Sequence, residues 1–218
     1  MDDPTGADPD SPLPGRRERK RQQTADHLAD TAWALFVEQG FEQVTMEAIA
    51  AAADVAKGTL YKHFPVKEAL LRHRFHRELA DEMPALRVAL GGLASAEAGL
   101  RAFLARSAAW SESRRPFLRH YLHFRLNEAG TVGGMAPERR SGLDGIFARL
   151  IALGQERGEF SAAIPAQQLG EYFQFLYLAC LMRWVYIPGL DLEAEFNTML
   201  ALFINGVRSG AASAAAGG

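Results

Sequence analysis

An all-α chain in two helical parts is what this sequence predicts, and three observations carry the expectation. Apolar residues recur at helical spacing through most of its length, no stretch alternates apolar and polar residues as a strand does, and Gly or Pro stands near several of the places where a helical pattern stops. With 218 residues, 48% of them hydrophobic, the chain exceeds one typical domain and has ample apolar material for a buried core. No internal repeat is visible.

The first helix is expected from about Thr24 to Gln39, with Leu28, Thr31, Ala32, Leu35 and Phe36 as its inward stripe and Gly40 as a left-handed C-terminal stop. Thr45 can cap a second helix, in which Met46, Ile49, Ala50 and Ala53 fall at helical spacing and Glu47 sets an acid in the positive first turn. It stops near Asp54. Val55 fills a crossing point, and a short segment from Ala56 to Phe64 turns Leu60 and Phe64 inward while Lys57, Thr59, Tyr61, Lys62 and His63 stay outside. From Val66 a long helix extends toward Leu90, and Pro84 kinks or interrupts it.

Further helices follow. Ser95 caps one reaching about Ser111, and Pro116 sits near the start of another reaching Asn127. A glycine-rich loop covers Ala129 to Ala136. The next helix is expected from Pro137 to Arg157, ended by Gly158, then one from Pro165 to Tyr186, and a last one capped by Asp191 and ending near Arg208. The tail from 210 to 218 is low in complexity.

The outward residues of the third segment suggest what it is for. A helix entering a major groove needs a thin start so that its backbone can approach base edges, and Gly58 supplies one between Lys57 and Thr59. Tyr61, His63 and Lys67 offer a phenol, an imidazole and an ammonium at spacings suited to neighbouring phosphates. With Thr45 and Lys62 these make a candidate DNA-binding set: Thr45, Lys57, Gly58, Thr59, Tyr61, Lys62, His63 and Lys67. Singly, each is also an ordinary solvated residue; the combination is what carries weight.

The run Phe36, Gly40, Phe41, Val44, Thr45, Ile49, Ala50, Ala53, Val55, Lys57, Gly58, Thr59, Leu60, Tyr61, His63, Phe64, Lys67, Glu68 and Leu70 resembles the DNA-binding signature of the TetR family of one-component transcriptional regulators, over about residues 22 to 71. The resemblance implies an all-helical homodimer with a three-helix N-terminal DNA-binding domain and a larger C-terminal domain for ligand binding and dimerisation. It also implies a double-stranded operator and a small-molecule effector as partners, usually in repression. One departure stands out: Ala56 occupies the place where many members carry a Ser or Thr that caps the reading helix.

The expected organisation is a flexible arm at 1–21, acidic then basic, a helix-turn-helix domain at 22–71, a helical ligand-binding and dimerisation domain at 72–209, and the tail. Net charge is −2, yet its distribution is uneven. Residues 1–14 carry four Asp, residues 15–77 eleven Lys or Arg against eight Asp or Glu, and the remainder thirteen against fourteen. Positive charge concentrates in Arg16 to Arg21, where an arm can lie along phosphates or reach into a minor groove, or simply keep the protein soluble. No secretory signal or membrane span is visible, so the cytoplasm is the expected compartment.

In the C-terminal part, the helix from Pro165 to Tyr186 is apolar nearly all round. Leu169, Phe173, Leu176 and Cys180 form one stripe, and Tyr172, Phe175, Ala179 and Met182 another. The last helix has a similarly broad apolar set, with Leu200 and Phe203 central. Two such helices per subunit suit a four-helix dimer interface, against the alternative of a monomeric core. Cys180 reads as a buried small hydrophobe. Trp110, Phe117, Tyr121, Phe124, Phe147, Phe175 and Trp184 can line an effector cavity, with His120, His123 and Arg125 as polar groups; aromatics at this spacing also build cores. The lack of a charged stripe points to a hydrophobic or aromatic effector.

Other classes have less behind them. His73 with His76 and His120 with His123 are i, i+3 pairs without accompanying Cys or carboxylate clusters, so no metal is expected. No nucleophile elbow, phosphate-cradling loop or dinucleotide fingerprint is present, so no catalytic residue or cofactor is expected. The remaining alternative is a DNA-bound structural protein of the same fold that takes no ligand.

Overall fold

In the computed structural model, residues 15–129 and 142–208 are described. Nine helices run through them: α1 (Arg16–Gln39), α2 (Met46–Ala52), α3 (Lys57–His63), α4 (Lys67–Gly91), α5 (Ala96–Glu112), α6 (Arg115–Ala129), α7 (Leu143–Glu156), α8 (Ala166–Tyr186) and α9 (Leu192–Val207). An isolated antiparallel bridge between Phe160 and Arg208 is the sole strand-like pairing among the described residues. The chain divides into two compact units, Met1–Phe75 and His76–Gly218, with the boundary inside α4.

The first unit packs α1, α2, α3 and the start of α4 around Leu28, Ala32, Phe36, Ile49, Leu60, Phe64 and Leu70, all buried. Gly40 (φ 85°) stops α1, and its N–H donates to the Phe36 carbonyl at 3.0 Å, leaving the Phe41 ring 4.8 Å from that of Phe36. Thr45 Oγ1 accepts the Ala48 N–H at 3.1 Å and starts α2. The turn after α2 passes through Asp54 in a left-handed conformation (φ 53°), and Val55 N–H donates back to the Ala50 carbonyl. His27 Nε2 lies 3.2 Å from the Ala53 carbonyl and ties α1 to this turn.

Two features of α1 correct the sequence expectation. It begins at Arg16, not Thr24, so the basic segment Arg16–Arg21 is helical and not a flexible arm. The misreading has a local cause. Thr24 looks like a cap, but its hydroxyl donates to the Lys20 carbonyl inside a helix that already exists, and nothing after Gly15 interrupts a run of good helix formers.

In the second unit the caps fall as expected: Ser95 Oγ accepts the Ala98 N–H, Asp191 Oδ1 accepts the Ala194 N–H, and Gly158 (φ 73°) follows α7. The glycine-rich loop, the helix start at Pro137 and the tail lie outside the described residues; α7 as described begins at Leu143 behind Gly142 (φ 77°). Helices α7 and α8 approach backbone to backbone at Gly170, where a Cβ would stand 2.6 Å from the Ala148 nitrogen. That approach lets Phe147 meet Phe173 at 4.7 Å and Phe103 at 5.0 Å between ring centres, while Tyr177 stacks on Phe196 at 5.2 Å.

Helix α8 does not divide into the stripes its sequence suggests. Leu169, Phe173, Tyr177, Cys180, Leu181 and Trp184 are buried, whereas Tyr172, Phe175, Leu176 and Ala179 face outward. On α9, Leu200 and Phe203 lie in the subunit's own core at 1% and 8% exposure, and it is Leu202, at 72%, that faces out. The expectation that Leu200 and Phe203 sit at the centre of a dimer interface is therefore corrected. A helix apolar all round shows which residues can be covered, but only packing shows which are covered within one chain.

Candidate nucleic-acid interface and effector region

The short helix α3 is held by one anchor. Leu60 is fully buried, Phe64 closes the C-terminal end as its N–H donates to the Leu60 carbonyl at 2.8 Å, and Lys57, Gly58, Thr59, Tyr61 and Lys62 are exposed. Around Gly58 a Cβ would meet nothing within 4 Å, so no internal neighbour explains the glycine. Ala56 precedes the helix in an extended conformation and gives no side-chain cap. Lys57 Nζ lies 3.7 Å from Glu47 on α2, an exposed pair worth little, so the lysine is readily redirected. Thr45 spends an oxygen lone pair on its cap and keeps its hydroxyl proton to donate outward.

His63 differs from its neighbours. It is half-buried, and its pKa is held below the ordinary histidine value by burial first, then by the positive charges of Arg21 and Lys62 and by His73. Arg21 on α1 is thus within electrostatic reach of the last turn of α3.

Lys67 is corrected. Expected to meet a phosphate, its ammonium instead donates to three main-chain carbonyls, Phe41 at 2.7 Å, Val44 at 3.2 Å and Glu42 at 3.3 Å, and lies 4.5 Å over the Phe41 ring. Its three N–H donors match three acceptors. It braces the start of α4 against the connection between α1 and α2. Two contacts extend this brace: His73 Nε2 lies 2.7 Å from Asp26 Oδ1, and Arg74 pairs with Asp30.

The eight residues expected to line an effector cavity go to different places. Phe147 is fully buried in the packed aromatic core, and Phe175, 69% exposed, is on the outer face of α8. Trp184 is buried under the Arg115 guanidinium, 4.4 Å from its ring, at an open cleft of about 350 Å³ lined also by Glu112, Gly189, Leu190 and Asp191. Trp110 donates its indole N–H to Glu78 at 3.1 Å, and Arg114 binds the same carboxylate at 2.9 Å while lying over the Trp110 ring. Tyr121 O–H and His76 Nε2 are 3.1 Å apart. Phe117 is buried on α6, and His120 and Phe124 are half-buried there.

Sequence reasoning missed the polar lining on α5 and α8. Ser107 Oγ and Tyr177 O–H are 2.7 Å apart, Tyr177 being buried deeply enough to hold its phenol neutral, with Tyr121 near enough to oppose its ionisation further. One turn along α5, Ser111 is fully buried and its hydroxyl has no partner. Serines at i, i+4 on an apolar helix were the available signal. Arg125 is buried as well. Among the described residues no group of three or more His, Cys, Asp or Glu gathers around a metal-sized space, and none of the described helices is long and apolar enough to cross a membrane.

An N-terminal helix-turn-helix whose short second helix is sparsely anchored, followed by a separate helical unit with buried hydroxyls in an aromatic core, is the architecture of helical DNA-binding regulators. Residues 28–73 match the profile of bacterial regulatory proteins of the tetR family. The HTH-type transcriptional regulator TcmR of Streptomyces glaucescens is 46% identical over 55 residues, covering 25% of this chain and 24% of that protein. The HTH-type transcriptional repressor KstR of Mycobacterium tuberculosis is 40% identical over 65 residues, covering 30% of this chain and 27% of that protein. The stretch shared with these two relatives spans about a quarter of their length. Thermus thermophilus FadR, a TetR family transcriptional repressor solved in complex with lauroyl-CoA, superposes with a TM-score of 0.71 at 25% identity over 84% of this chain and 94% of that one. Over residues 28–73, then, the chain carries the DNA-binding domain of the tetR family of bacterial regulatory proteins.

Proposed function

We propose that this protein is a homodimeric repressor that holds a near-palindromic duplex operator and leaves it when a small hydrophobic or aromatic molecule enters the second unit. The observation that carries the reading is α3: a helix with one buried anchor and an otherwise unspent outer face of Lys57, Gly58, Thr59, Tyr61 and Lys62. Lys57 and Thr59 flank the glycine and reach base edges, while Tyr61, Lys62, His63 and the Thr45 hydroxyl meet phosphates. The dimer forms through the outward apolar residues of α8 and α9, Tyr172, Phe175, Leu176 and Leu202. The effector lies among Trp110, Tyr121, Ser107, Ser111 and Tyr177, which join aromatic surface to a few neutral hydroxyls and suit a ligand with an apolar body and a single polar group. The lauroyl-CoA held by the FadR relative has a long apolar portion and agrees with this class.

Selection of sites from random duplex DNA tests the reading. A symmetric motif with half-sites about 34 Å apart is expected, with affinity falling steeply as salt rises. Lys57→Ala should relax preference at one or two positions per half-site by roughly 1–3 kcal/mol, and Tyr61→Ala should weaken every sequence alike. Selection that yields no symmetric motif would rule the reading out.

A further inference from the structure

The first turns of α1 are built against their own stability. Gly15 to Gln23 are all exposed, Ala25 is the first buried residue, and the projecting portion from Arg16 to Thr24 is about 12 Å long at the helical rise. Five of its first six helical residues, Arg16, Arg17, Arg19, Lys20 and Arg21, are cations at the positive pole of the helix, where cations are disfavoured. Arg21 pairs with Glu18 at 3.1 Å; the side chains of Arg16, Arg17, Arg19 and Lys20 have no partner among the described residues. Among the described residues, therefore, nothing packs on the spur and nothing pairs with these four cations.

Its position gives the charge a target. The spur's root is on the side of α1 that serves α2 and α3: Arg21 acts on His63 in the last turn of α3, and His27, one turn beyond the root, meets the end of α2. Arg17 lies one turn before Arg21 on the same face, and Lys20 and Arg16 lie at helical spacing before His27.

We infer that this helical spur is a second DNA-contacting surface, one that clamps the phosphate backbone of the duplex flanking each half-site, outside the sequence read by α3. A rigid helix cannot thread a minor groove as an extended arm does, so the contacts are to phosphates and carry no base preference. At 3.4 Å per base pair, a 12 Å spur adds roughly 3–4 base pairs of flank on each side. Anionic phosphates at the helix start also relieve the unfavourable cations there, so the spur is held more firmly on DNA than off it. This inference rests on the proposal that α3 binds an operator.

Two duplexes test it: the selected operator trimmed to its half-sites, and the same operator with eight flanking base pairs on each side. They are titrated with the wild-type protein and with Arg16→Gln/Arg17→Gln/Arg19→Gln/Lys20→Gln, glutamine being chosen because it keeps helix propensity. Wild-type protein should bind the flanked duplex ~10–100-fold more tightly near 0.1 M salt, with a logarithmic salt dependence steeper by ~3–4 if two phosphates are met per subunit. The quadruple variant should bind the trimmed duplex within a few-fold of wild type and lose most of the gain from flanks. An equal loss on both duplexes would overturn the clamp in favour of a general attraction, and a loss confined to A·T-rich flanks would overturn it in favour of groove entry. Wild-type protein that selects no operator would instead remove the reading on which the clamp rests.

Discussion

Lys67 shows how a single side chain can belong to two accounts. Its spacing after Pro65 suggests a phosphate contact, yet three carbonyls 23 to 26 residues earlier take all of its N–H donors. Its partners are remote in sequence, so no local pattern could have revealed them; Thr45, Ser95 and Asp191 were legible because a cap and the N–H that donates to it lie three residues apart. Lys67→Ala should destabilise the first unit by about 2–4 kcal/mol, since part-buried carbonyls lose a charged donor. Thermal unfolding of the free protein reads this directly, and an unchanged midpoint would return Lys67 to the phosphate set. His63 has a different signature. Its pKa is lowered in the free protein by burial and neighbouring cations, and a phosphate would raise it. Operator affinity should therefore be greatest below the free-protein pKa, which is itself below 6.5, and be lost as pH rises through the DNA-bound value. His63→Gln should flatten that part of the pH profile in a titration by fluorescence anisotropy.

At the scale of the element, α3 is short and poorly started. Seven residues, a glycine second and no side-chain cap leave it dependent on Leu60 and Phe64 for order. Ala56→Ser should supply the missing acceptor and stabilise the helix by about 1 kcal/mol. Amide exchange along α3 should slow by a factor of about 5 in the free protein, and operator binding should tighten if ordering the helix is part of the cost of association. Exchange unaltered by the serine would mean that the Ala56 backbone, extended as it already is, gains nothing from a cap. The ends of α1 show the limits of sequence reading at this scale. Its stop at Gly40 is a backbone requirement written in one residue, whereas its start was masked by Thr24, a residue that caps helices in one setting and bonds backward within them in another.

For the whole molecule, the proposed dimer turns on which apolar surface would meet a second copy. Composition marks α8 and α9 as apolar, but not which of Leu200, Leu202 and Phe203 faces out; neighbouring α7 and α5 decide that by occupying one side. Aspartate substitutions at outward and inward positions separate the roles. Phe175→Asp or Leu202→Asp, at positions 69% and 72% exposed, should leave the subunit folded and yield monomers in sedimentation, with operator affinity collapsing because each half-site is then held alone. Phe203→Asp should unfold the second unit, because it buries a charge against Phe173, whose ring centre is 4.8 Å away. A Phe175→Asp protein that stays dimeric would move the interface off this face.

Cys180 has so far figured only as a small hydrophobe, and its setting has a spectroscopic consequence. It is the chain's one cysteine, it is buried against α9, and burial together with Glu195 pushes its thiol up to about 11, so almost none of it is thiolate near neutral pH. The wild-type protein should therefore take up little maleimide or methanethiosulfonate label, which labelling of the unmodified protein checks. A cysteine introduced on the exposed face of α3, as in Lys62→Cys, would be labelled alone, one probe per chain and two per dimer. The spin–spin distance between those probes would then measure the gap between the two reading helices, with and without effector, against no background from the native thiol.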